Sequence, residues 1–170
     1  MIRRFFCVLI ALFLASLCAA RADGVYDLVR LQVVAEDDSP AAQALKLELR
    51  DACLRCARVC LDGAQTTDEA YALLDAHAAD FQAACRRAAR EAGYAGNVCA
   101  EVGIFDFPDR LYGRLLVPAG EYRALRVTIG AGAGHNWWCV LYPTLCSVDE
   151  SALDAQSVLD WLKRQLGGDA

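Results

Sequence analysis

Gly130–Cys146 runs G-A-G-A-G-H-N-W-W-C-V-L-Y-P-T-L-C, and its reading decides where the last strand ends and what the chain presents. Three glycines alternate with alanines. His135, Asn136, Trp137, Trp138 and Cys139 then follow without a break, and Cys146 closes the segment. Neither a helical stripe nor a strand alternation accounts for the run. It is expected to be a specialised loop, carried by the frame around it.

The frame is legible on both sides. Val25–Ala35 is rich in β-branched and aromatic residues and predicts a first strand. Ser39-Pro40 offers a hydroxyl N-cap and a proline at the first helical position. Leu45, Leu49, Cys53, Cys56 and Cys60 recur at spacings of three and four until Gly63 stops the helix. Thr66-Thr67-Asp68-Glu69 is a capping box. The stripe Leu74, Ala78, Phe81, Cys85, Ala88, Ala92 predicts one second helix, ended by Gly93. Asn97–Phe105 alternates as a strand, Phe107–Arg110 turns, Leu111–Val117 is short, and Pro118-Ala119-Gly120 turns again. Glu121–Ile129 is a further strand. Beyond Cys146, Ser151 and Asp154 cap a terminal helix with Val158, Trp161, Leu162 and Leu166 facing inward. This order predicts an α+β fold: two N-terminal helices packed on one face of a mainly antiparallel sheet, plus a C-terminal helix.

Met1–Ala22 begins with Arg3 and Arg4, continues as an apolar run from Phe5 to Ala20, and ends in Ala20-Arg21-Ala22, the order of a secretory signal cut before Asp23. The run is shorter than the roughly 20 residues of a spanning helix, so export is expected rather than a retained anchor. Residues 23–170 then form a single domain with 14 basic and 22 acidic side chains, a net charge of −8. That balance argues against nucleic acid and anionic lipid as partners.

Seven cysteines remain: Cys53, Cys56, Cys60, Cys85, Cys99, Cys139 and Cys146. Export permits disulfides, and an odd count leaves at least one thiol outside an internal pair. Cys53, Cys56 and Cys60 fall on the buried stripe, where cysteine serves as a small hydrophobe. With no second ligand pair in view, no metal site and no cofactor is expected. A Cys53–Cys85 bridge is the alternative, and the pairing of Cys53, Cys56, Cys60, Cys85 and Cys99 stays open. His77 reads as a structural histidine.

Three chemistries compete for Gly130–Cys146. A phosphate cradle has the wrong glycine spacing and no Lys-Ser/Thr. A thiol hydrolase would use Cys139 as nucleophile and His135 as base on a cell-envelope substrate, with Asn136 or Asp149 nearby as a third group. A Cys139–Cys146 disulfide would remove that nucleophile. A recognition surface is the third reading. Adjacent residues of an extended chain point to opposite faces, so one tryptophan can anchor the loop while the other is exposed to a partner. The partner-binding residues on this reading are His135, Asn136, Trp137, Trp138, Tyr142 and Pro143, and no small-molecule substrate is expected.

Gly134–Cys139 (G-H-N-W-W-C) with Pro143 and Leu145-Cys146 resembles the signature of the stage II sporulation protein R family. So do Pro118–Tyr122 followed by Ala124-Leu125-Arg126, and Phe105-x-Phe107-Pro108-x-Arg110-x-Tyr112-Gly113. Arg30, Ala35, Asp38-Ser39-Pro40, Gln43, Lys46-Leu47 and Arg50-Asp51 match the N-terminal pattern, so the resemblance covers about residues 25–149. It implies a signalling protein rather than an enzyme, exported into the space between the forespore and mother-cell membranes. There it would trigger a membrane-embedded aspartic protease of the mother-cell membrane, which processes the precursor of sigma factor E.

Overall fold

A computed structural model of the chain describes residues 27–112 and 115–143. The expected signal segment, Cys146 and the terminal helix lie outside the described residues. The first strand, β1 (Val29–Val34), is buried along its whole length. Helix α1 (Pro40–Cys60) follows, and the Ser39 hydroxyl accepts from the Ala42 N–H at 3.2 Å as the N-cap. Leu45, Leu49 and Cys53 are buried as the stripe requires, whereas Cys56 and Cys60 are only half-buried. The chain ends this helix before Gly63, which adopts φ +84°.

The single second helix of the sequence reading is two helices: α2 (Thr67–Ala76) and α3 (Ala78–Glu91). Thr66 caps α2 by accepting from the Glu69 N–H at 3.2 Å, and the Glu69 carboxylate accepts from Gln65 N–H at 2.7 Å. His77 sits between them at φ −101°, ψ 13°, outside helical values, and its Nδ1 lies 2.7 Å from Asp80 Oδ2. The break re-aims the stripe. Leu74, Phe81, Cys85 and Ala89 reach the core, and Ala92 is exposed.

Four strands form one sheet in the order β2-β5-β1-β6, with β2 at Val98–Phe107, β5 at Gly120–Ile129 and β6 at Asn136–Tyr142. A small hairpin, β3 (Arg110–Tyr112) with β4 (Leu115–Val117), pairs separately. β2–β5 and β1–β6 are antiparallel, but β1 and β5 run parallel, so the sheet is mixed. The α+β class holds. Three helices, not two, cover one face among the described residues.

The alternation of side chains across the strands divides the apolar residues into two clusters. Val29, Leu31, Val33, Leu125, Val127, Ile129, Cys139 and Leu141 pack with Leu49, Phe81 and Cys85 under the helices. On the other face, Leu28, Phe107, Val117, Tyr122, Ala124 and Val140 form a second cluster. Both β1 faces are therefore buried, which is why Arg30, on the second face, is 0 % exposed. No helix among the described residues is long and apolar enough to cross a membrane.

Gly130–Cys146 departs most from expectation. Only Gly130–His135 is a connection. Asn136–Tyr142 is strand β6, an edge of the sheet paired with β1 from Val34↔Asn136 to Val29↔Tyr142. Both faces of this strand meet apolar neighbours, so its sequence lacks the alternation that marks a half-solvated strand.

Candidate functional site

Two turns meet at one end of the sheet: Ala35–Ser39, between β1 and α1, and Gly130–His135, between β5 and β6. Their backbones are joined directly. Ala133 N–H donates to Glu36 O and Gly134 N–H to Ala35 O, each at 3.0 Å. A side chain at Gly134 would place its Cβ 2.2 Å from the Asp37 carbonyl oxygen, so the glycine is there for the approach of the chain's own turn. Gly132 holds φ +63°, with Thr128 packed where a Cβ would stand.

Side chains complete the joint. Asp38 Oδ1 accepts from the His135 backbone N–H at 2.7 Å and lies 2.5 Å from His135 Nδ1. Gln43 Nε2 donates to Asp37 O at 2.9 Å and to Asp38 Oδ1 at 3.2 Å. Lys46 Nζ donates to Gln43 Oε1 at 2.5 Å and to the His135 carbonyl at 3.2 Å. Asp37 steadies the turn by accepting from Ser39 N–H at 2.8 Å. Burial pulls the Lys46 ammonium below its usual pKa, partly offset by Asp38.

The His135 backbone N–H, then its ring, hold the Asp38 carboxyl below its ordinary value of 3.8. Because the folded value is the lower one, this contribution is complete above about pH 4 and fades as acid protonates the folded carboxyl. An NMR titration of the Asp38 carboxyl carbon is expected to show a midpoint below 3.8. His135→Ala should return only part of the shift, since the backbone donor remains. Complete return would assign the effect to the imidazole instead.

The predicted site residues are divided by the strand. His135 is exposed, with its ring turned to Asp38. Trp137 is half-buried on the helix side, where the Arg50 guanidinium lies 5.2 Å from its ring centroid. Trp138 is half-buried on the opposite side, edge-on to Phe107 at 5.1 Å with the Arg110 guanidinium 5.4 Å away. Each tryptophan thus anchors the strand to a different cluster while keeping a solvent-facing part. Asn136 has a buried Oδ1 with no hydrogen-bond partner, and Tyr142 precedes Pro143 through a cis peptide bond.

This arrangement does not make a thiol hydrolase. Cys139 is fully buried in the helix-side cluster, and four residues of extended chain, about 13 Å, separate it from the exposed His135. Cys53 and Cys56 of α1 are poor nucleophiles. Hydrogen bonding to Cys85 and burial raise Cys53 well above its ordinary value, and burial followed by the Cys60 hydrogen bond pushes Cys56 up to about 12.

Asp38, Gln43 and Lys46 entered the sequence reading only through the family pattern. Lys46 carried one independent signal: a lysine beside Leu45, on the inner side of α1, is seldom buried without a partner, and here it is 7 % exposed. Arg30 was missed likewise. Its guanidinium lies 4.2 Å from the Phe107 ring centroid and 4.8 Å from that of Tyr122, and Nη2 donates to Tyr112 Oη at 3.1 Å.

The two joined turns come from the two ends of the pattern noted in the sequence, and comparison with known proteins agrees. Residues 26–152 match the family model described as stage II sporulation protein R. The chain belongs to that family. It is 33 % identical over 123 residues to stage II sporulation protein R of Bacillus subtilis (strain 168), an alignment covering 72 % of this chain and 55 % of that protein. The chain therefore spans about half the length of the curated relative it matches. No solved structure matches it. Both names describe a sporulation protein, and neither names a reaction.

Proposed function

We propose that this stage II sporulation protein R family member is an exported signalling ligand that activates a membrane-embedded aspartic protease. In this reading it acts in the space between the forespore and mother-cell membranes, and the protease cleaves the precursor of sigma factor E. The observation that carries the interaction reading is the Asp38–His135 joint. It holds an exposed polar turn beside two half-buried tryptophans on an edge strand. A contact surface ordered before binding loses less conformational freedom when a partner docks, and tryptophans are frequent anchors of such contacts. A Cys139–Cys146 disulfide closing the end of β6 belongs to the same proposal.

The test is cleavage of the sigma-factor precursor in membranes carrying the protease, with and without the purified chain. Wild type should stimulate cleavage, and Trp137→Ala and Trp138→Ala should stimulate it less while retaining a native circular dichroism spectrum. No stimulation by wild type would remove the activator role. Full stimulation by both folded variants would keep the role and move the contact elsewhere.

A further inference from the structure

At the far end of α1, two of the cysteines assigned to core packing leave the core. Cys56 and Cys60, four residues apart on one helix face, are half-buried and place their Sγ atoms 3.6 Å apart. They line a cleft of about 620 Å³ together with His77, Asp80, Arg55, Arg87 and Glu91. One ligand atom from each of Cys60, His77 and Asp80 lies within 4.8 Å of the others. The break between α2 and α3 produces this convergence. It takes His77 out of the helix and brings its Nδ1 within 2.7 Å of Asp80 in the first turn of α3.

We propose that Cys56, Cys60, His77 and Asp80 form a four-coordinate site for zinc or a similar borderline-soft divalent cation. Zinc–sulfur bonds of about 2.3 Å give a tetrahedral sulfur–sulfur edge of about 3.8 Å, close to the spacing already present between Cys56 and Cys60. The imidazole and carboxylate sit closer than the roughly 3.3 Å edge of such a site. Metal binding would replace this 2.7 Å contact by rotating the two side chains apart. Both thiols release their protons to solvent as the two metal–sulfur bonds form. A dication with two thiolates and one carboxylate leaves one net negative charge, and with Arg55, Arg87 and Glu91 lining the same cleft the local charges sum to zero. The cation would tie the C-terminal turn of α1 to the start of α3, two helices that pack on each other. Cys60, His77 and Asp80 are the residues already grouped; Cys56, 3.6 Å from Cys60, lies outside that group and would join it by side-chain rotation, whereas the buried Cys53–Cys85 pair, at 3.3 Å, belongs to no such group among the described residues. The site does not depend on the proposed signalling role.

Titration of the reduced, purified chain with Co²⁺ tests the site. The expected result is one equivalent bound, with thiolate-to-cobalt charge transfer and the visible bands of tetrahedral cobalt, both displaced by Zn²⁺. Cys56→Ser/Cys60→Ser should abolish the charge-transfer band. His77→Ala should weaken binding by about tenfold or more, and Cys99→Ser should leave it unchanged. Circular dichroism of each variant checks the fold. The proposal is overturned if the reduced chain gives no cobalt–thiolate band, or if the band survives Cys56→Ser/Cys60→Ser. It is also overturned if the band disappears in Cys99→Ser, or if chain recovered from the exporting cell holds Cys56 and Cys60 as a disulfide.

Discussion

Arg30→Ala is expected to lower stability by about 2–5 kcal/mol, the range for truncating a large buried side chain, whereas Arg30→Met should match or exceed wild type. Arg30 is wholly buried between Phe107 and Tyr122, and its Nε and Nη1 have no hydrogen-bond partner. Two effects oppose each other. A desolvated cation over an aromatic ring gains about 2 kcal/mol or more, but burying an ion costs several kcal/mol even after relaxation. Each unsatisfied nitrogen adds about 1–3 kcal/mol to that cost. The penalty is the larger. Methionine keeps most of the packing volume and removes the charge, a replacement that is often neutral or stabilising. Alanine leaves a cavity between two rings and strips Tyr112 of its donor. Urea denaturation of the three proteins decides it through their midpoints, provided the slope m is unchanged. A methionine variant as unstable as the alanine one would show that the cation itself holds the two rings and the hairpin together. A stable methionine variant that fails in the precursor-cleavage assay where wild type succeeds would mean that the charge is kept for function at a cost in stability.

The sequence disclosed those parts of the fold that depend on a few adjacent residues. Ser39-Pro40 and Thr66–Glu69 could be read as helix starts because cap and donor lie within three residues of each other. The Pro118–Gly120 turn and strand β5 were readable for the same reason. Strand β6 was not, because Trp137 and Trp138 are both apolar and each has its own cluster to enter. The break at His77 was hidden by a stripe that continues through Leu74, Ala78 and Phe81 at helical spacing, although the structure needs two helix axes there. Parallel pairing of β1 with β5 joins residues 94 positions apart at Gln32 and Arg126, beyond the reach of any local pattern. The site divides in the same way. His135, Trp137 and Trp138 stood out by composition, but their partners did not. Asp38 meets His135 across 97 residues, and Cys60 meets His77 only after the second helix has broken.

If the chain is the proposed activator, Asp38→Ala is expected to reduce its stimulation of precursor cleavage by about tenfold or more while leaving global unfolding close to that of wild type. The carboxylate is exposed and lies outside both apolar clusters, so its removal opens no cavity. It is, however, the shared acceptor for the His135 backbone, the His135 ring and Gln43. Without it the two backbone bonds from Ala133 and Gly134 remain, and His135 is released at the point where β6 begins. A partner that requires the ordered turn then finds it in only a fraction of molecules, and apparent affinity falls by that fraction; order in one molecule of ten gives about a tenfold loss. Asp37→Ala is the matched control, because Asp37 accepts from Ser39 N–H and makes no side-chain bond to His135. Its effect on activation should be several-fold smaller. The decisive measurement is precursor cleavage against activator concentration: Asp38→Ala should shift the curve to higher concentration with its plateau retained. A lowered plateau at unchanged midpoint would instead place Asp38 in the activating step after docking. An unchanged curve would show that protease recognition does not use this joint.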